Sequence, residues 1–400
     1  MELYPHQLSN AHHLFASVRS RGSAIDCSDT GTGKSFTALT VAAATGRKPF
    51  IVCPLSVGPG WEAKAAACEV DLAGWTNYEK ARRPGWVPPS GSFVVFDEVH
   101  RCKSPSSQQA QLLVRVARDF QTLLLSATPF STPLDTRAIL SALRATSWSE
   151  WYRLLPKLGC YRDRRLNNAW QWRGSVSNLE EIRRMIGNGM VKTRWQDVTG
   201  FPDILVQPEA APVANKKAVD ELLRIIATSG KLDITKALQA RMLVESAKVN
   251  AMTDMALDAE AQGNSVVAFF NFTEPLHTYA ATLGNCAVLD GSTSSADRAR
   301  IVAEFQSSRT PRFLACNIRA GGVGIDLHDT VGVPRVALHC PTWSAQDFKQ
   351  ALGRIHRAGS LSRAVQKIIF AAGTLDVRVL AAVQSKLNNI ETLTDSDLNP

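Results

Sequence analysis

The sequence predicts an α/β protein of two lobes, each built on a parallel sheet, with a helical segment inserted between them. Three observations predict it. Short apolar runs alternate with turns and helical stretches over residues 24–130; the same alternation returns after residue 265; the stretch between lacks it. Strands that alternate with helices form parallel sheets joined by right-handed crossovers. A chain of 400 residues has room for two to three domains and more than one core. The pattern sets the expected boundaries at 1–135 for the first lobe, 136–258 for the helical insertion and 259–400 for the second lobe.

In the first lobe the strand-like runs are Ala24–Cys27, Phe50–Cys53, Phe93–Phe96 and Thr122–Leu125, with helices beginning near Lys34, Pro59 and Ser106. In the second they are Val266–Phe270, Ala287–Leu289, Phe313–Cys316, Val336–His339 and Lys367–Phe370. The insertion reads as helical. Leu179, Ile182, Ile186 and Met190 mark one apolar face, and Leu238, Met242, Val249 and Met252 mark another. A linker is expected over Gly200 to Asn215, which holds Pro202, Pro208 and Pro212.

Composition narrows the function. The chain is 45% hydrophobic and 20% charged, which excludes a disordered tail, a collagen repeat and a coiled-coil rod. Its net charge of +9 fits a polyanionic partner, nucleic acid above all. Residues 130–200 hold twelve Lys/Arg against six Asp/Glu and five of the nine Trp, at 148, 151, 170, 172 and 195. Arg162, Arg164, Arg165, Arg173 and Lys192 are candidates for phosphate contacts there, and a Trp could stack at a strand junction. The competing reading packs the Trp residues among small helices and leaves the arginines as a solvated face. The eight cysteines include no Cys-x-x-Cys, and five lie in or beside apolar runs, so they read as reduced thiols of a cytoplasmic protein. No apolar run approaches the ~18 residues of a membrane span. His12 and His13 lack metal spacing and read as surface residues.

The chemistry begins at Asp29-Thr30-Gly31-Thr32-Gly33-Lys34-Ser35, between a strand and a helix. Glycines let backbone N–H groups close around phosphate oxygens, and the helix N-terminus adds its positive end. Lys34 is placed to reach the β- and γ-phosphates of ATP and Ser35 to hold magnesium. The strict phosphate-loop pattern has Gly where this chain has Ser28. Next, the apolar run Phe93–Phe96 ends in Asp97-Glu98-Val99-His100. Carboxylates at the C-terminal edge of a sheet lie where α/β ligands bind. Asp97 suits magnesium; Glu98 suits the positioning of an attacking water. Late in the chain, Gln350, Arg354 and Arg357 share one helix face, which can bring two guanidiniums to a transferring phosphate.

In order, DTGTGKS, DEVH, Ser126-Ala127-Thr128-Pro129, Gly321-Gly322-Val323-Gly324-Ile325-Asp326-Leu327 and Gln350–Arg357 resemble motifs one, two, three, five and six of the superfamily-two helicases. Leu3-Tyr4-Pro5-His6-Gln7 resembles that superfamily's adenine-reading glutamine motif. The resemblance implies two RecA-like lobes that close on ATP. It places Gln7, Thr30, Gly31, Thr32, Gly33, Lys34, Ser35, Gly324 and Asp326 at the nucleotide and makes Arg354 and Arg357 fingers that complete the site. His100, Ser126, Thr128 and Gln350 become coupling residues between nucleotide and track.

Cys53-Pro54-Leu55 with Trp61-Glu62, Asp290-Gly291-Ser292-Thr293 with Arg298 and Phe305, and Trp343 resemble the Swi/Snf-type branch. The run Ala169–Ile182 resembles its annealing-helicase members, in a minimal form of the size found in bacteria and phages. Where that branch has an acidic-Met-Gly-Leu-Gly loop, this chain has Asp29-Thr30-Gly31-Thr32-Gly33, which keeps bacterial and phage unwinders in play. The resemblance implies an ATP-dependent DNA helicase or translocase acting on duplex, forked or single-stranded DNA in replication, recombination or repair. It places Pro54, Arg298, Gly321 and Gly322 at the nucleic acid, with Arg164 and Arg165 added from the basic insertion. The alternatives are an RNA helicase and a nucleic-acid scaffold with a silent ATPase. A monomer in the cytoplasm of a bacterial or phage-infected cell is expected, with a loading protein compatible and no membrane role.

Overall fold

A computed structural model describes residues 3–212, 234–321 and 325–394. The chain divides into two compact units, one of Met1–Thr199 with the stretch from Lys386, the other of Gly200–Ser385.

The first unit lays down β1 (Ser23–Asp26), β2 (Pro49–Cys53), β3 (Gly74–Asn77), β4 (Phe93–Asp97) and β5 (Thr122–Leu125). A separate antiparallel hairpin follows, β6 (Cys160–Asp163) and β7 (Ala169–Trp172), and then the two-residue β8 (Met190–Val191). The main sheet is parallel throughout, in the order β3-β2-β4-β5-β1-β8. Packing covers both of its faces, and so its central strands read as unbroken apolar runs. All of β1, β2 and β5 is buried, at about 1.5–3 kcal/mol for each large aliphatic side chain. Register pairs Asp26 with Leu125 and Leu125 with Asp97. The turns after β1, β5 and β4 therefore emerge side by side at one sheet edge. Those turns carry the phosphate loop, Ser126 and Glu98.

The second unit contains β9 (Ile204–Ala211), β10 (Ser265–Phe270), β11 (Cys286–Leu289), β12 (Phe313–Asn317), β13 (Arg335–His339) and β14 (Ala364–Ala371). Its sheet is also parallel, in the order β11-β12-β10-β13-β14-β9. Each of the nine expected runs coincides with a strand to within a few residues.

The middle segment departs from the strandless expectation, because β6, β7, β8 and β9 all fall within it. Two residues of β8 carry no periodicity. The longer β9 contains Pro208, which reads as linker, but an edge strand tolerates proline when its nitrogen faces outward. The first unit also gains β3, whose sequence Gly-Trp-Thr-Asn is not an apolar run. The helix Val176–Ile186 buries Leu179, Ile182 and Ile186 as expected, whereas Met190 begins β8 beyond the positive-φ Gly187. The second predicted face breaks over two helices, Ile234–Ser246 and Val249–Ala261, with Val249 and Met252 buried and Leu238 exposed.

Among the described residues no helix is long and apolar enough to cross a membrane. The eight cysteines are free thiols, six of them buried. Among the described residues no group of three or more His, Cys, Asp or Glu side chains is placed to hold a metal ion. His12 and His13 are exposed.

Candidate nucleotide site and coupling residues

The phosphate loop leaves the buried end of β1 and turns into the helix Lys34–Thr45. Gly31 and Gly33 take φ of 85° and 91°, which favour glycine. At Gly33 a Cβ would stand 2.0 Å from Gln7 Nε2. That closeness explains Gln7. Its Nε2 donates to Thr32 O (3.1 Å) and its Oε1 accepts from Tyr4 N (3.0 Å), while His6 Nε2 lies 2.9 Å from the same Thr32 carbonyl. Gln7 is buried and braces the loop from the first helix. Thr32 Oγ1 donates to Asp29 O, and the buried Thr30 Oγ1 has no hydrogen-bond partner. Lys34 Nζ donates to Ser28 O (2.7 Å) and Asp29 O (2.9 Å). Burial lowers its pKa, against the pull of Asp26, Glu98, Asp29 and Asp97. Lys64 Nζ reaches the Ser35 hydroxyl at 3.4 Å.

At the end of β4, Asp97 is fixed from two sides. Trp61 Nε1 donates to Asp97 Oδ2 at 2.8 Å, and the Tyr78 hydroxyl donates to Asp97 O at 2.8 Å. Burial, then the adjacent Glu98, push the Asp97 carboxyl up; the Trp61 bond, Lys64 and Lys34 pull it back. Glu98 sits at φ 57°, in the left-handed region, a strained backbone of the kind that clusters at functional sites. Its Oε2 lies 3.1 Å from His100 Nδ1, which also lies 3.2 Å from Ser126 Oγ. Ser126 Oγ accepts from Thr128 N, and Ser126 N donates to Asp26 O. Glu98, His100, Ser126 and Thr128 thus form one connected chain from the acidic strand back to β1. Neither Trp61 nor Lys64 carries a sequence signal of a place at this site, apart from the resemblance that includes Trp61. Trp61 is fully buried, and its bond to Asp97 depends on a chain reversal that no local pattern encodes.

Lys192 corrects an expectation. It is no phosphate-contact residue on a basic surface: its Nζ is buried 2.8 Å from Asp29 Oδ1, with the two side chains 4% and 8% exposed. The remaining basic candidates gather at the hairpin. Arg162 stacks over Trp170 (4.8 Å) and Arg173 over Tyr161 (5.2 Å), and both are exposed. Arg164 is exposed at the tip beside Asn167 and Asn168, both at positive φ; the side chain of Arg165 lies outside the described residues. Most of the Trp residues pack. Trp151 is buried, Trp148 covers the Arg137 guanidinium at 3.7 Å, and Trp172 donates to Leu158 O.

In the second unit, the helix Ala345–Ile355 buries Gln350 and Arg354. Arg354 NH1 donates to Ile325 O (3.1 Å) and Leu327 N donates to Arg354 O (2.9 Å), tying the fifth-motif segment to this helix. Arg357 lies beyond the helix, which ends at Ile355, so it does not share the helix face with Gln350 and Arg354 as expected; its NH2 pairs with Asp326 Oδ1 at 2.8 Å, and it is more accessible. Gly322 and Gly324 lie outside the described residues; Gly321 ends a short helix after β12. Pro54 is buried at the end of β2 beside the exposed Leu55. Asp290 accepts from Ser292 N, Ser292 Oγ and Thr293 Oγ1 and lies 3.0 Å from His277 Nε2; these bonds bring its carboxyl down to about 2. Arg298 donates to the Asp290 carbonyl.

Residues 247–359 match the family model described as the helicase conserved C-terminal domain. The chain is 28% identical, over 99% of its length and 84% of the relative, to the protein named "Putative ATP-dependent RNA helicase L364" of Acanthamoeba polyphaga mimivirus. It is 26% identical over 76% of its length to the human DNA annealing helicase and endonuclease ZRANB3, covering 30% of that protein. It is 24% identical over 74% of its length to the SWI/SNF-related matrix-associated actin-dependent regulator of chromatin subfamily A-like protein 1 of Xenopus laevis, covering 32% of it. The chain therefore spans about a third of these two cellular relatives. Residues 247–359 thus resemble a helicase C-terminal domain, and the chain is an ATP hydrolase similar to helicases, those of the Swi/Snf and annealing kinds among them.

Proposed function

We propose that the protein is a DNA-stimulated ATPase that translocates on duplex or branched DNA. The observation that carries the reading is the joined chain Glu98–His100–Ser126–Thr128 at the sheet edge that also presents Lys34. A chain that ends on the acid expected to polarise water, and begins where the third-motif residues leave β5, links hydrolysis to another surface. The sequence relatives named for DNA annealing support DNA as the track.

The residues fit ATP with magnesium. A half-buried lysine on loop carbonyls, glycines at positive φ and an unpartnered Thr30 hydroxyl suit a polyphosphate. The Ser35 hydroxyl and the Asp97 carboxylate are hard oxygen donors, and magnesium takes few protein ligands beside phosphates. Bound magnesium would neutralise phosphate charge. Ser35 and Asp97 would hold it, Lys34 would contact the phosphates, and Glu98 would orient the attacking water. Arg354 and Arg357 carry the guanidiniums that the resemblance assigns to the transferring phosphate, and Arg354 also holds the fifth-motif segment. Gly324 and Asp326 join the nucleotide side. The basic hairpin, through Arg162, Arg164, Arg165 and Arg173, contacts DNA phosphates, with Pro54, Arg298, Gly321 and Gly322 on the track of the two lobes. The part of the insertion that lies in the first unit, up to Thr199, carries the DNA contacts.

RNA is the second reading, because the relative that covers almost the whole chain is named for RNA. Steady-state ATP hydrolysis at fixed low salt decides, with no nucleic acid, single-stranded DNA, duplex DNA, a forked junction or RNA. Duplex or fork should stimulate most, and Lys34→Ala and Glu98→Gln should each lower the stimulated rate about 100-fold or more. Stimulation by RNA alone would overturn the DNA reading. Tight DNA binding without turnover would make the chain a scaffold.

A further inference from the structure

The segment Lys192–Trp195 belongs to none of the motifs that carry the nucleotide reading, yet it grips the phosphate loop at its N-terminal end. Lys192 Nζ pairs with Asp29 Oδ1 at 2.8 Å and donates to Cys27 O at 3.1 Å. Thr193 N donates to Ser28 Oγ (3.0 Å), and Thr193 O accepts from Asp29 N (2.9 Å). Trp195 Nε1 donates to Thr30 O at 2.7 Å, and Trp195 N to Asp29 Oδ2 at 3.3 Å. Asn10 Nδ2 adds a bond to Thr193 Oγ1 (2.8 Å). Four consecutive loop residues, Cys27 to Thr30, are thereby held by a strand-like strap from 165 residues away.

Charge explains why one partner is a lysine. A loop that receives a polyphosphate is handicapped by an uncompensated carboxylate, and Asp29 lies near enough to Lys34 to act on its charge. Lys192 cancels Asp29 inside the protein and leaves Lys34 to act on phosphate. The indole bond to Thr30 O holds a loop carbonyl turned toward the strap.

We infer that Lys192 and Trp195 are positioning residues for the nucleotide: Lys192 neutralises Asp29, and Trp195 fixes the backbone of the loop. The role rests on the nucleotide reading of that loop, and Lys34→Ala separates the two. If Lys34→Ala abolishes nucleotide binding while Lys192→Met binds like wild type, only the positioning role falls.

The test is binding of a fluorescent ATP analogue to the full chain with magnesium, beside KM and kcat for ATP and the melting temperature. Lys192→Met should weaken binding about tenfold or more and raise KM more than it lowers kcat. Lys192→Arg should stay within threefold of wild type. The double variant Asp29→Asn/Lys192→Met, which leaves no unpaired charge, should regain binding to within threefold. Should Lys192→Met fail to fold, the double variant and Trp195→Phe still decide. Trp195→Phe should weaken binding about threefold at an unchanged melting temperature. A double variant that folds but binds tenfold worse would overturn the charge role. Unchanged binding and KM in Trp195→Phe would overturn the loop-fixing role. A Lys192→Met that loses melting temperature alone would make the pair structural only.

Discussion

Both sheets are completed by a strand from the same short stretch of chain, and they are completed in opposite ways. In the first unit β8 is two residues long, and side chains and loop backbone do most of the holding: Lys192 on Asp29, Trp195 on Thr30 and Thr193 on Ser28. In the second unit β9 pairs with β14 over eight residues, with Lys367–Glu209 as the one described ion pair between the two strands. Each unit also buries a Lys–Asp pair. The first unit's touches the phosphate loop. The second unit's, Lys248 with Asp376 at 2.6 Å, anchors the start of the helix Leu375–Thr394, with Lys248 Nζ also donating to Ile369 O and Asp376 Oδ2 accepting from Ala371 N. The contrast teaches that the same chemistry braces a loop in one unit and closes a core in the other.

The largest expected effect breaks the second unit's pair. Lys248→Met leaves the Asp376 carboxylate buried without its partner, a change that costs about 3–5 kcal/mol. Denaturant unfolding should show that loss, while the KM for ATP of the protein that remains folded stays at the wild-type value. A raised KM would mean that the two pairs are not separate in purpose.

A smaller effect separates ladder from side-chain holding. Pro208 lacks an N–H, so in β9 the even-numbered residues point their nitrogens away from β14 and the odd-numbered ones toward it; Ala364 N donating to Asp203 O agrees. Gln207→Pro should therefore remove a ladder bond and cost up to about 3 kcal/mol, the cost of a carbonyl left without its donor. Val206→Pro, one position earlier, should cost well under half of that. Equal losses in the two variants, by thermal or urea unfolding, would remove the ladder as the holding force.

Smaller again is the change at Trp61, where the first unit's polar chemistry reaches a carboxylate. Trp61→Phe keeps most of the buried ring and removes the N–H that Asp97 Oδ2 accepts, an interaction worth about 1.5–3 kcal/mol for a charged partner. The magnesium concentration for half-maximal hydrolysis should rise about tenfold. No change in the magnesium requirement would show that Trp61 serves packing only.

Much of this was legible before the structure. Apolar runs such as Phe93–Phe96 and Thr122–Leu125 are strands because a sheet covered on both faces leaves no room for polar alternation. The loop at Gly31–Ser35 and the pair Asp97–Glu98 announce themselves because backbone conformation and charge restrict what can stand there. What stayed hidden is held by long-range contacts. Lys192 reads as one more basic residue in a basic segment, and only folding reveals it against Asp29. The edge strand β9 hides behind Pro208, since a proline in sequence looks the same in a linker and on a sheet edge. Arg354 reads as an exposed finger on a helix face but is buried against Ile325 O.

The smallest expected effect lies in the second core and is read by pH. His339 is fully buried, stacks on Phe269 with ring centroids 4.8 Å apart, and shares a 2.8 Å bond between its Nε2 and Gln366 Oε1. Gln366 Nε2 in turn donates to Leu352 O, so the amide oxygen is the acceptor and His339 Nε2 carries the proton. Burial brings the imidazole pKa down from 6.5 to about 4, against the opposing pull of the Gln366 bond. Between those two values the unfolded chain binds a proton that the folded chain refuses. Stability from this group is thus full above pH 6.5 and is lost as pH falls toward 4. From pH 7 to 5.5 the loss is about 1 kcal/mol. His339→Gln keeps a donor for Gln366 and cannot titrate, so its unfolding free energy should fall less than wild type over that interval. Buried acids such as Glu245, whose pKa burial raises, act in the opposite direction in both proteins and cancel in the difference. If the two pH profiles run parallel, the imidazole takes up its proton at the same pH in the folded core as in the unfolded chain, and burial does not depress it.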